Sequence, residues 1–284
     1  MTKPAQTESI LPVPEEAALK QSAKLVERIK EALDKADGEI GFDQYMNMAL
    51  YEPGLGYYSA GSRKFGEAGD FVTAPEISPL FAQCLANQCG QILSELDSGV
   101  ILELGAGTGV MARDLLLALE KQQALPETYF ILEVSADLKQ RQQTLFNETA
   151  QHLVQRVVWL DALPEEGITG IILGNEVLDA LPVKRFKKTA SGFSEQKVVY
   201  ADDQFTWQGA EADEDLVQTL TQLEAQLPAT LPEGLVSEIN TGLEHWLTAL
   251  EAVLEQGVIL FIDYGYTAVE YYHPQRIDGT LLCH

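Results

Sequence analysis

Apolar residues change their spacing along the chain, and the changes divide it. Leu19, Ala23, Val26, Ile29 and Leu33 recur every three or four positions, which predicts an amphipathic helix ending near Gly38. The first dozen residues, polar and punctuated by proline, read as a mobile tail. A short helix over 42–50 runs into Tyr51-Glu52-Pro53-Gly54-Leu55-Gly56-Tyr57-Tyr58, where Pro and Gly impose a turn and tyrosines crowd it. A loop over 69–76 precedes a helix from about Ser78. On it, Leu80, Phe81, Cys84, Leu85, Cys89, Ile92 and Leu93 are expected to share one apolar face.

At Val100 the rhythm becomes that of buried strands. Short apolar runs at 100–104, 129–132, 157–160 and 168–173 are interleaved with helical segments at 110–119 and 137–149. Such βαβ spacing predicts a parallel sheet with helices on both faces. Beyond Pro182 the alternation breaks. Residues 184–208 read as antiparallel strands turning at Ser191-Gly192, and 213–226 as an acidic helix closed by Pro228 and Pro232. The core is expected to resume with a strand at 236–239, a helix over 243–254 and a strand at 257–262. This gives four parts: a helical extension (1–97), a core (98–183), an inserted α+β subdomain over the strand ends (184–235) and the rest of the core (236–284).

Composition narrows the functions. The formal net charge of −24 over 284 residues argues against binding to nucleic acid or to an anionic membrane surface, with one small basic cluster at Lys184, Arg185, Lys187 and Lys188. Hydrophobic residues at 46% suffice for a core, yet no apolar run approaches the ~18 residues of a spanning helix. Cys84, Cys89 and Cys283 have neither zinc nor redox spacing and read as small buried residues. The four histidines lack metal spacing too, so no metal site is expected. Met1–Ser9 resembles neither a signal nor a transit peptide, so the expected location is the cytoplasm. From Val198 to Gln275 there is no Lys or Arg but 14 Asp and Glu. That stretch is either a solvated face or an electrostatic funnel for a cationic substrate or basic partner.

Open parallel sheets bind ligands at the carboxyl ends of their strands, where strand order reverses. The polar residues there are Glu103, Glu133, Asp161, Asn175-Glu176 and Asp263. After the first strand comes Gly105-Ala106-Gly107-Thr108-Gly109. Val110 stands where a dinucleotide loop needs its third glycine, and the Gly-Lys-Ser/Thr of a P-loop is missing. What remains is E-x-G-x-G-x-G, which resembles the loop of class I S-adenosylmethionine enzymes. That cofactor has no pyrophosphate, so Glu103 would receive its amine, Glu133 its ribose hydroxyls and Asp161 its adenine amine.

Three further motifs carry a closer resemblance: Gly69-Asp70-Phe71-Val72-Thr73-Ala74-Pro75-Glu76-Ile77-Ser78-Pro79-Leu80-Phe81, Gly174-Asn175-Glu176-Val177-Leu178-Asp179-Ala180-Leu181-Pro182 and Ile262-Asp263-Tyr264-Gly265-Tyr266. Together with Tyr57-Tyr58 and His273-Pro274-Gln275-Arg276, they resemble the MidA-like methyltransferase family across nearly the whole chain from about residue 25. The resemblance implies a Rossmann-like class I methyltransferase fold and S-adenosyl-L-methionine as cofactor. It implies a cofactor site of Glu103, Gly105, Ala106, Gly107, Thr108, Gly109, Glu133, Asp161 and Ala162, with Asp70, Thr73, Ser78 and Asn175 beside it. It also implies a protein partner methylated on arginine, as in respiratory complex I assembly, with a homodimer left open. Family members continue with further strands beyond residues 279–284, so a chain lacking the last strands of the sheet is expected.

An arginine acceptor needs carboxylates to hold its charge, because guanidinium does not deprotonate freely. Glu176, beside Asn175, is the first candidate and Glu238 the second; the alternatives are a turn cap and a surface acid. Tyr57, Tyr58, Asp263 and Tyr264 would border the acceptor, although the tyrosine cluster also reads as packing. Two other functions stay open: a small-molecule methyltransferase, and a non-catalytic assembly factor that keeps the cofactor as a structural ligand.

Overall fold

The chain begins with α1 (Glu16–Lys35), β1 (Glu39–Ile40), α2 (Phe42–Tyr51), α3 (Ala74–Ile77) and α4 (Leu80–Glu95). The structure is a computed structural model and describes residues 14–59, 72–96 and 99–282. The alternating core follows: β2 (Val100–Leu104), α5 (Val110–Lys121), β3 (Tyr129–Leu132), α6 (Ala136–Thr149), a 3₁₀ turn (Gln151–Arg156), β4 (Val157–Leu160) and β5 (Ile168–Asn175). Next come β6 (Lys184–Thr189), β7 (Gly192–Ala201), β8 (Gln204–Glu211), α7 (Glu214–Gln226) and β9 (Val236–Ile239). The described chain closes with α8 (Leu243–Val253), β10 (Leu254–Ile262) and α9 (Ala268–Tyr271).

Five strands form a parallel sheet in the order β10-β5-β2-β3-β4. The central strands are apolar at nearly every position because both faces are covered. On one face Ile101, Tyr129, Ile131, Ile171 and Leu173 pack under Leu85 and Cys89 of α4 and Leu115 and Leu119 of α5. On the other, Leu102, Leu104 and Ile172 meet Leu250 and Trp246 of α8. From β2 the chain winds outward to β3 and β4, then crosses to β5 and β10. The switch in direction therefore lies between β2 and β5. Among the described residues no helix is long and apolar enough to cross a membrane.

The second sheet departs from the expected parts. Strands β1, β7, β6 and β9 pair in that order, all antiparallel, and β8 adds to β7. The extension and the insertion are thus one layer: Glu39 and Ile40 pair with Val199 and Val198, and Ile29, Leu33 and Met48 pack on Val198. Strand 236–239, expected to restart the core, belongs here instead, with Glu238 opposite Arg185. The apolar face expected for α4 holds for Leu85, Cys89 and Leu93, with Phe81 and Ile92 packed against the same core, but not at its start. Ala82, Leu85, Ala86, Cys89 and Leu93 are buried, whereas Leu80 and Cys84 are exposed. The expectations for the N-terminal tail, Asp70 and Cys283 fall outside the described residues.

Candidate functional site

The glycine loop leaves the carboxyl end of β2 at the switch point. Gly105, Gly107 and Gly109 all take positive φ (63°, 55° and 83°), the left-handed region open to glycine. Gly109 is the N-cap of α5, and a Cβ on it would lie 3.0 Å from Gln142 Cγ. The buried Gln142 side chain ties the loop to the next strand. Its Nε2 donates to the Gly107 carbonyl (2.8 Å) and to Glu133 Oε2 (3.1 Å), and its Oε1 accepts from Trp159 Nε1 (2.9 Å). Its signal in the sequence is positional: Leu138, Gln142 and Phe146 are the buried residues of α6, so an amide stands in the apolar stripe.

Glu133 closes β3 at 4% exposure, with Oε1 accepting from Ser135 N (2.9 Å). Burial pushes its pKa up, opposed by the Ser135 and Gln142 hydrogen bonds. A carboxylate accepts at about four lone-pair positions, so two donors leave room for vicinal hydroxyls. Glu103, one residue before the end of β2, shares the face of Ile101 beneath α4 and α5. Tyr129 Oη donates to its Oε2 (2.7 Å), Oε1 has no partner, and burial raises its pKa to about 7. Beside the loop, Thr108 Oγ1 donates to Glu76 Oε1 (3.0 Å), and Glu76 Oε2 is likewise buried without a partner. The orphaned Glu76 oxygen thus borders a loop of open backbone, and a cationic donor satisfies such an atom. A nucleoside with an ammonium tail fits these residues.

The strand ends across the switch point carry acids. Glu176 follows β5 with φ 51°, and its N–H donates to Ile262 O (2.8 Å) at the end of β10. Asp263 is committed to the backbone: Oδ2 accepts from Leu178 N (2.8 Å) and Asp179 N (3.3 Å), and Oδ1 from Tyr264 N (2.9 Å). Tyr264 Oη donates to Asp179 Oδ2. Asp179, which lies inside the Gly174–Pro182 motif but was given no role from sequence, completes a trio with Glu176 and Asp263. Burial first, then Asp179 and Asp263, raises the Glu176 pKa, while hydrogen bonds from Asn175 and the Ala74 backbone pull it down.

The aromatic turn packs over these ends. Tyr51 stacks on Tyr58 (5.6 Å), Tyr57 meets Tyr58 edge-on (5.2 Å), and Tyr51 Oη donates to Ala180 O (2.9 Å). Burial chiefly, then Asp179 and Glu176, pushes the Tyr58 hydroxyl up to about 12. Burial chiefly, then Tyr58, Asp179 and Glu133, raises the Tyr51 hydroxyl as well.

Other expected residues have partners of their own or are exposed. Asp161 ends β4 as foreseen, but its side chain is 89% exposed and bound by Lys139 (2.6 Å); Ala162 is exposed too. Thr73 is the N-cap of α3, and Ser78 Oγ accepts from Leu80 N (3.2 Å), so Ser78 supports the turn into α4. Glu238 requires correction on both readings. It is 1% exposed in the antiparallel sheet, with Oε2 accepting from Thr280 N (2.8 Å) and Oγ1 (3.0 Å), and Arg185 Nε 3.6 Å from Oε1. That geometry anchors residues 279–280 onto β9.

A parallel sheet with its switch point at a three-glycine loop, and an acid closing the adjoining strand, define a Rossmann-like class I fold with a nucleoside-type site. The chain belongs to the family described as "putative S-adenosyl-L-methionine-dependent methyltransferase", whose model matches residues 84–284. A Burkholderia thailandensis protein solved with S-adenosyl-homocysteine bound is 40% identical at a TM-score of 0.87, covering 95% of this chain and 70% of that one. The zebrafish protein arginine methyltransferase NDUFAF7, mitochondrial, is 31% identical over 56% of this chain and 43% of its own length. The Drosophila melanogaster homologue of the same name is 28% identical over 81% of this chain and 57% of its own length. The chain thus spans less than two thirds of these curated relatives.

Proposed function

We propose that this chain is an S-adenosylmethionine-dependent methyltransferase that acts on arginine side chains of a partner protein. The observation that carries this reading is the pairing of two chemistries at one switch point. The glycine loop with Glu133 suits a nucleoside, and the acids around Glu176 suit a cation. The names of the zebrafish and fly relatives support arginine as that cation.

When bound, S-adenosylmethionine supplies a methyl group activated by a sulfonium. The chain's own residues do the rest. Gly107 and Gly109 allow backbone approach, and Glu133 holds the ribose. Asn175 orients the Glu176 carboxylate, which accepts guanidinium N–H groups and lowers repulsion between two cations. Its raised pKa also suits it to take up the proton that a methylated nitrogen sheds. Tyr51 and Tyr58 wall the acceptor and keep water out.

Calorimetry with S-adenosylhomocysteine tests the cofactor half. Tritiated methyl transfer into lysate from a strain lacking the protein tests the rest. Label recovered as methylarginine supports the reading, whereas cofactor binding with no labelled product defeats the enzyme. Glu133→Ala is expected to weaken S-adenosylhomocysteine binding by ~1.5–3 kcal/mol, the usual cost of losing a hydrogen bond to a charged group. It should also lower stability in urea, because Gln142 Nε2 then keeps only the Gly107 carbonyl.

A further inference from the structure

Glu76 has no assigned role in the methyl transfer proposed above, yet its surroundings are those of a ligand-binding group. It lies on α3, a single turn with Pro75 in its first positions, packed against α4 and α5. The polarity of this segment is inverted. Val72, Ile77 and Leu80 face solvent at 43%, 73% and 65% exposure, while the Glu76 carboxylate turns inward. There Oε1 accepts from Thr108 Oγ1 of the glycine loop (3.0 Å), and Oε2 is enclosed with no partner. Among the described residues no ion pair reaches it, and Arg113 of α5 is engaged by Asp114 (2.8 Å). A carboxylate oxygen enclosed without a donor is costly unless a cation completes its shell.

We infer that Glu76 binds the ammonium of the cofactor's amino-acid tail, an assignment that rests on the S-adenosylmethionine reading. An ammonium carries three N–H donors and no acceptor, which matches an orphaned carboxylate oxygen beside the loop. Glu103, the acid that the loop motif offers for this role, is less suited to it. Its side chain lies within the packed face of the sheet at 1% exposure, and Tyr129 already occupies one oxygen. Glu76 instead reaches the loop from outside the sheet, on a segment that has no other evident reason to turn an acid inward. Thr108 then acts as a positioning residue, fixing one oxygen so that the other points along the loop.

Three nucleosides test the assignment by equilibrium binding: S-adenosylhomocysteine, its deaminated analogue, and 5′-methylthioadenosine, which lacks the tail. Glu76→Gln is expected to bind S-adenosylhomocysteine about tenfold or more weakly. It should bind the other two within about twofold of wild type, with an unfolding midpoint no lower than that of wild type without ligand. Two results overturn the assignment alone: wild-type affinity for all three ligands, or an equal loss on all three. A loss confined to the amine-bearing ligand in Glu103→Gln but not in Glu76→Gln would move the ammonium to Glu103. Should the wild-type chain bind none of the three, the cofactor reading falls and takes this assignment with it.

Discussion

Glu176→Gln is expected to lower methyl transfer to an arginine acceptor by about 10²–10³, or ~3–4 kcal/mol of barrier. S-adenosylhomocysteine affinity should stay within a few-fold. The substitution preserves shape and removes charge, so it isolates the electrostatic contribution. The backbone gives reason to expect no rearrangement, because the Glu176 N–H is held by Ile262 O (2.8 Å) and Asn175 pairs with Ile262 in the sheet. Its neighbours cannot replace it. Both oxygens of Asp263 are committed to backbone N–H groups, and Asp179 accepts from Tyr264. The pH profile gives a second readout. The ionised carboxylate is the working form and burial raises its pKa, so wild-type turnover falls with decreasing pH through a value above the ordinary 4.5. The Gln variant should lack that limb. Single-turnover rates against pH, with calorimetry as the binding control, decide it, and wild-type turnover in Glu176→Gln would reduce the residue to a turn cap.

Legibility in the sequence followed the range of the interactions. The parallel sheet was legible because its strands are short apolar runs and β2 and β3 are each followed at once by a helix, a local pattern. The glycine loop was legible because its three glycines answer to three left-handed residues within one turn. The antiparallel layer was not, since β1 is two residues long and its partners lie at Val198 and Val199, far along the chain. Period and propensity carry no information about such a pairing. The same holds for Glu238. Its neighbours Arg185 and Thr280 come from distant segments, so nothing local separates a buried anchor from a surface acid. Leu80 and Cys84 sit on a helix whose packed face joins the small residues Ala82 and Ala86 to Leu85, Cys89 and Leu93, and a pattern of apolar residues alone does not mark where that face begins. Asn175, Glu176 and Asp263 were marked by position alone, as polar residues ending apolar strands. Asp179 sits one turn further on, where only the folded loop brings it beside them.

Glu103→Gln is expected to remove a pH dependence of stability worth roughly 3 kcal/mol between pH 4.5 and 7. The carboxyl is fully enclosed at the end of β2, and Tyr129 supplies its one hydrogen bond. Burial holds its pKa at about 7, against an ordinary value of 4.5. Below pH 4.5 the group is protonated in both folded and unfolded chains and contributes nothing to the balance. Between the two values the unfolded chain releases the proton while the folded chain retains it, so rising pH favours unfolding. Above about 7 the full cost of a buried charge is present. The direction is opposite to that of an acid stabilised by a salt bridge, whose contribution is lost as pH falls. Gln keeps an acceptor for Tyr129 Oη and carries no charge at any pH. Urea unfolding of both proteins at half-unit steps from pH 4.5 to 8 measures the difference, which should grow with pH in favour of the variant and level off near pH 7. An unchanged difference across the series would mean that Glu103 ionises in the folded chain as easily as in water, and that the face beneath α4 and α5 is wet rather than packed.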